Sequence, residues 1–112
     1  MLNATCIRQN IWYNITNMRA RLVYHVKEYY VDGSVQEIKI WEVPKSKNRP
    51  HGLKYSFAYI FGSERVVGYD NAEAKGDHRH YRGKEYPYKF KGLERLWKDF
   101  KGDIQRFKED RS

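Results

Sequence analysis

Two histidines separated by a single residue, His78 and His80, are the side chains of this chain best suited by type and spacing to chemistry. Residues two apart in an extended segment project to the same side, so both imidazoles would converge on one ligand. Histidine titrates near neutrality, so such a pair can hold opposite protonation states at working pH. Asp70 and Asp77 precede them, Glu85 follows, and six cations (Lys75, Arg79, Arg82, Lys84, Lys89 and Lys91) fall in the same stretch. The set suits cleavage of RNA by its own 2′-hydroxyl. One imidazole would act as base and the other as acid, while Lys75, Arg79, Arg82 and Lys84 hold the phosphate. No cofactor is required. Asp70 would orient a histidine, as a carboxylate does in general-base systems. As part of Asp70-Asn71 it equally suits a turn. Tyr81 and its neighbours Tyr86 and Tyr88 would stack on bases or pack in a strand.

Two other readings of the same residues stay open. The histidines could be structural, each bonded to a backbone carbonyl or partly buried. They could instead ligate a metal together with Glu85, a two-histidine, one-carboxylate set of the kind found in open iron or zinc sites. His78-x-His80, Glu85 and Gly92 partly resemble the first motif of the cupin family. The leading glycine of that motif is Ala72 here, its second motif is missing, and a cupin barrel needs more strands than the sequence offers.

The charge distribution points to a polyanion. Net charge is +8, and the excess lies in two loop-like segments. Residues 45–54 carry Lys45, Lys47, Arg49 and Lys54 with no acid, and residues 75–91 carry six cations against Asp77 and Glu85. The rest of the chain balances at twelve cations and twelve acids. A nucleic acid is the natural partner for such clusters, and a merely soluble basic surface is the alternative. Lys45, Lys47, Arg49 and His51 could fold over the histidine segment as a second phosphate-binding loop.

The elements that must position these residues read as strands followed by a helix. Residues 18–31 alternate, with Leu22, Tyr24, Val26 and Tyr30 expected on one face. Asp32-Gly33 then predicts a type I′ hairpin into a return strand over 35–43 that Pro44 ends. Residues 54–61 place Tyr55, Phe57, Tyr59 and Phe61 on one face, and 64–69 run back after Gly62-Ser63. A short strand near 85–90 would be confined to an edge by Pro87. From Gly92 the period changes to 3.6: Leu93, Leu96, Trp97, Phe100, Ile104 and Phe107 form one stripe of a helix over 92–109. Residues 1–17 show no clean period, and a short helix is slightly favoured there. The expected fold is α+β: an antiparallel sheet of four to five strands in 18–90 with the C-terminal amphipathic helix packed on one face.

At 112 residues the chain is expected to be a single domain, long enough to bury roughly two-thirds of its unfolded surface. One cysteine, Cys6, rules out an internal disulfide and cysteine-rich zinc sites, and fits a reducing compartment. No window approaches a membrane span and no leader pattern opens the chain, so a cytoplasmic protein without a membrane partner is expected. Exposed strand edges would allow a homodimer.

Read as a string, residues 69–104, Tyr69-Asp70-Asn71 through Gly76-Asp77-His78-Arg79-His80 and on to Ile104, resemble the TumE family. The resemblance extends upstream through Pro50-His51-Gly52-Leu53-Lys54-Tyr55, Val43-Pro44-Lys45-Ser46 and the Asp-Gly hairpin, about residues 18–107 in all. It implies the toxin component of a toxin–antitoxin pair: a growth-inhibiting activity and a cognate antitoxin protein. RNA is the usual target of small basic toxins. Three activities are therefore carried forward. The first is RNA cleavage by the histidine pair, the second non-catalytic nucleic-acid binding, and the third a small metal-binding protein built on His78, His80 and Glu85.

Overall fold

The computed structural model describes residues 20–72 and 76–111, together with the strand course of 6–10. Seven strands follow one another as an antiparallel meander: β1 (Cys6–Asn10), β2 (Arg21–Tyr30), β3 (Val35–Glu42), β4 (Leu53–Phe61), β5 (Glu64–Asp70), β6 (His78–Tyr81) and β7 (Lys84–Pro87). The helix α1 (Leu93–Arg111) closes the chain and covers one face, lying mainly against β5. The α+β class is as expected, and the sheet is larger by two short strands. Cys6–Asn10, where a helix was favoured, pairs with Val26–Tyr30. The remainder of the 1–17 segment lies outside the described residues. The histidine segment, read as a loop, is the hairpin β6–β7. β7 is the short edge strand expected near 85–90, placed at Lys84–Pro87, whereas HRHY of β6 shows no apolar alternation and nothing in its hydropathy announces it.

The turns carry the register. Arg82 and Gly83 both have positive φ, 51° and 86°, the conformation a two-residue hairpin loop demands. Asp32-Gly33 does form a hairpin, but only Gly33 has positive φ, and its N–H donates to the Tyr30 carbonyl at 2.9 Å. The connection is thus a longer loop ending in a left-handed glycine rather than the expected type I′ turn.

The core lies between the sheet and α1. Tyr55, Phe57 and Tyr59 from β4, Ile38 and Ile40 from β3, and Val67 and Tyr69 from β5 meet Leu96, Phe100, Ile104 and Phe107. Phe57 and Phe100 cross edge to face at 5.4 Å, as do Tyr59 and Phe107 at 6.2 Å. Burying each such side chain is worth about 1.5–3 kcal/mol. Leu93 and Trp97, expected within the stripe, sit at its exposed margin beside Tyr24.

Two bulges decide which face several residues use. In β2 the register shifts between Leu22, opposite Trp41, and Tyr24, opposite Ile40. Leu22 and Tyr24 therefore do not share the face that simple alternation assigns them. In β5, Val67 pairs with Tyr59 and Arg65 with Ile60, leaving Val66 as the extra residue. Beyond such a bulge the strand's parity is reversed.

Candidate functional site

Alternation divides the histidine hairpin between two faces of the sheet. Gly68 and Asp70 of β5 stand opposite His80 and His78 of β6, and these face away from α1. Tyr69 stands opposite Arg79, and this pair faces the helix, where Tyr69 Oη donates to Asp103 at 2.6 Å.

On the face opposite the helix, Asp70 is the centre. His78 Nε2 lies 2.8 Å from Asp70 Oδ1, and His80 Nε2 lies 3.5 Å from Oδ2. The two imidazoles meet edge to face with centroids 4.9 Å apart. Nδ1 of His78 donates to the Gly76 carbonyl at 3.1 Å, which fixes the ring's orientation. Both nitrogens of His78 thus face oxygens that can only accept. The His78 side chain is 6% exposed and that of His80 is 19%, so His80 is the member nearer the surface. Burial, and then the neighbouring Arg65, push the His80 pKa below its ordinary value, against the pull of Asp70.

Arg65 is the functional candidate that sequence reasoning missed. Its Nη1 donates to Asp70 Oδ2 at 3.1 Å, and its side chain is 37% exposed. By parity Arg65 should join Val67 and Tyr69 on the helix face. The bulge at Val66 sends it to the other face, and no local pattern in the sequence announces that bulge. Gly68 clears the route, because a Cβ there would stand 2.9 Å from Arg65 Cδ.

Most of the expected phosphate-binding residues lie elsewhere. Arg79 occupies the helix face. It donates to Asp103 through Nε at 2.6 Å and Nη2 at 3.1 Å, and stacks on Tyr81 and Tyr86. Tyr81 on that face approaches Asp110 of α1 at 3.5 Å. Arg82, turned by its left-handed backbone, lies over Phe107 and 3.9 Å from Asp110. Lys84 stands opposite Tyr81 in the register, again on the helix side, and is exposed. Arg49 is committed to the backbone, donating to the carbonyls of Asn71 and Ala72 at 3.1 and 2.7 Å. Lys45 and Lys47 are exposed in the preceding loop, and Lys75 lies outside the described residues. His51 packs on Phe90, 3.4 Å from Asp77, whose Oδ2 accepts from Tyr55 Oη at 2.7 Å. It does not join the other histidines. Among the described residues, the cation at the pair is Arg65, which was not one of those expected there.

Asn71 is structural. It is fully buried, its Oδ1 accepts from Tyr55 N at 2.9 Å, and its Nδ2 donates to the Leu53 carbonyl at 2.8 Å, so it pins the start of β4. Asp70 is not a turn residue, since it ends β5 and bonds to both the histidine site and Arg65.

A metal ion could be held by Asp70, His78 and His80, which offer one ligand atom each within 4.8 Å of one another. This carboxylate differs from the one expected. Glu85 Oε2 stands 3.8 Å from His78 Nε2 at the rim.

A small α+β protein, basic overall and carrying a compact histidine–carboxylate–arginine centre on the side of a meander away from α1, is the class these features define. The chain belongs to the TumE family, whose model, described as Toxin TumE, matches residues 6–108. No curated protein and no solved structure matches it. No described helix is long and apolar enough to cross a membrane.

Proposed function

We propose that this toxin-family chain acts on RNA, cleaving phosphodiester bonds at the centre formed by Asp70, His78 and His80. One observation carries the reading: two imidazoles in edge-to-face contact, one 2.8 Å from a buried carboxylate and the other 3.5 Å from it, with an arginine bonded to the same carboxylate. His80, nearer the surface, takes the proton from the 2′-hydroxyl. The freed oxygen attacks phosphorus, and Arg65 offsets the charge that builds on the phosphorane. His78, held by acceptors at both nitrogens, returns a proton to the departing 5′ oxygen. The products are a 2′,3′-cyclic phosphate and a 5′-hydroxyl. The excess of Lys and Arg outside the centre draws the polyanion in without fixing its register. As a toxin component the protein is paired with an antitoxin that blocks this activity.

Expression without a partner tests both halves. The wild-type chain should arrest growth with accumulation of cleaved cellular RNA, and His80→Ala should abolish both while accumulating as folded protein. Growth arrest with intact RNA, undiminished by His80→Ala, would defeat the proposal. RNA binding without cleavage would leave a non-catalytic binding module in its place.

A further inference from the structure

Arg79, Arg82 and Lys84 lie on the helix side of the hairpin, while Asp70 and Glu85 stand beside the two histidines. The distances that result are those of a ligand set. His78 Nε2 and Asp70 Oδ1 are 2.8 Å apart, His80 Nε2 and Asp70 Oδ2 are 3.5 Å apart, and Glu85 Oε2 is 3.8 Å from His78 Nε2. Bonds of roughly 2.0–2.2 Å to a transition metal set ligand–ligand edges of about 3.0–3.5 Å, and the ligand atoms of Asp70, His78 and His80 already lie within 4.8 Å of one another, so small side-chain adjustments would bring these three onto one ion with Glu85 at its rim.

Three further features support ligation. Nδ1 of His78 is tied to the Gly76 carbonyl at 3.1 Å, the brace that metal-bound histidines commonly carry, which leaves Nε2 to the metal once its proton is lost. Nε2 of His80 is buried as an atom and makes no hydrogen bond. Arg65 steadies Asp70 through Oδ2 while Oδ1 points at His78. Two imidazoles and a carboxylate suit a divalent transition ion such as Zn²⁺, with open positions left for water.

We propose that Asp70, His78 and His80 form a site for a divalent transition-metal ion, and that the ion silences the centre by occupying the nitrogens that would otherwise move protons. The binding stands on the ligand geometry alone, while the silencing rests on the RNA reading above.

Equilibrium dialysis of tag-free protein against Zn²⁺ reads the binding, and the visible ligand-field bands of Co²⁺ report the donor set. One ion per chain is expected, with affinity weakened at least tenfold in His80→Ala and in Asp70→Asn but unchanged in His51→Ala. His80→Ala is the primary variant because its side chain is partly exposed, and the thermal midpoint without metal confirms that it folds. RNA cleavage by the wild type should fall as one equivalent of Zn²⁺ is added and return with chelator. No saturable binding, or binding indifferent to His80→Ala, overturns the site. Binding with cleavage undiminished or enhanced overturns the silencing. Stoichiometric, His80-dependent binding by a protein that never cleaves RNA upholds the site and defeats the RNA reading instead.

Discussion

Arg65 crosses the sheet over Gly68, whose missing side chain is the space the arginine uses to reach Asp70. A methyl group at position 68 would meet Arg65 Cδ at 2.9 Å, Nε at 3.0 Å and Cζ at 3.2 Å. The neighbour that must yield is a flexible, part-exposed side chain rather than backbone. Gly68→Ala should therefore expel Arg65 while the sheet folds. The expected result is loss of RNA cleavage by about tenfold or more, matched by Arg65→Ala and no larger in the double variant. Additive losses in the double variant would show that Gly68 acts by another route.

Asp103 joins the helix to the sheet. It is 4% exposed and accepts from Tyr69, from Arg79 through two nitrogens, and from Arg106 at 2.6 Å. Asp103→Ala leaves Arg79 largely desolvated and unpaired, and should cost about 3 kcal/mol in urea unfolding. Arg106, more than half exposed, contributes the weaker contact, so Arg106→Ala should cost less than about 1 kcal/mol.

The same rule that makes the histidine pair legible also removes its cations. Alternation places His78 and His80 together, and it equally sends Arg79 and Tyr81 to the other face. Only long-range contacts with Asp103 and Asp110 on α1 show what those residues do there. The helix stripe and the central hairpins were legible because they are long and strongly patterned. The short strand β6, and the bulge at Val66 that redirects Arg65, were not, since pairing with neighbours rather than local hydropathy creates them.

Asn71 should prove a stability residue and not a chemical one. Asn71→Ala removes the partners of Tyr55 N and the Leu53 carbonyl, and the expected cost is about 1–3 kcal/mol in chemical denaturation. Per folded molecule, RNA cleavage should be retained to within a few-fold.

Acid sensitivity should include a share from the β2–β3 turn. Asp32 accepts from the Ser34 hydroxyl at 2.6 Å and the Ser34 N–H at 2.9 Å, and these bonds lower its pKa in the folded state. A carboxylate with a depressed folded pKa adds stability above its unfolded value, near 3.9, and that share is lost as pH falls through the lower folded value. The difference in thermal midpoint between the wild type and Asp32→Asn should therefore shrink between about pH 5 and pH 2. A constant difference would mean that the turn does not titrate with Asp32.

The centre itself is tested most directly by the ends it leaves. Purified, tag-free protein in chelator should cut a single-stranded RNA oligonucleotide to 2′,3′-cyclic phosphate and 5′-hydroxyl ends, and should spare the same oligonucleotide carrying a 2′-deoxy sugar at the cut. His80→Ala, shown to be folded, should lose at least about a hundredfold in rate. Cleavage at the 2′-deoxy position, or an undiminished rate in His80→Ala, would contradict proton transfer by this pair.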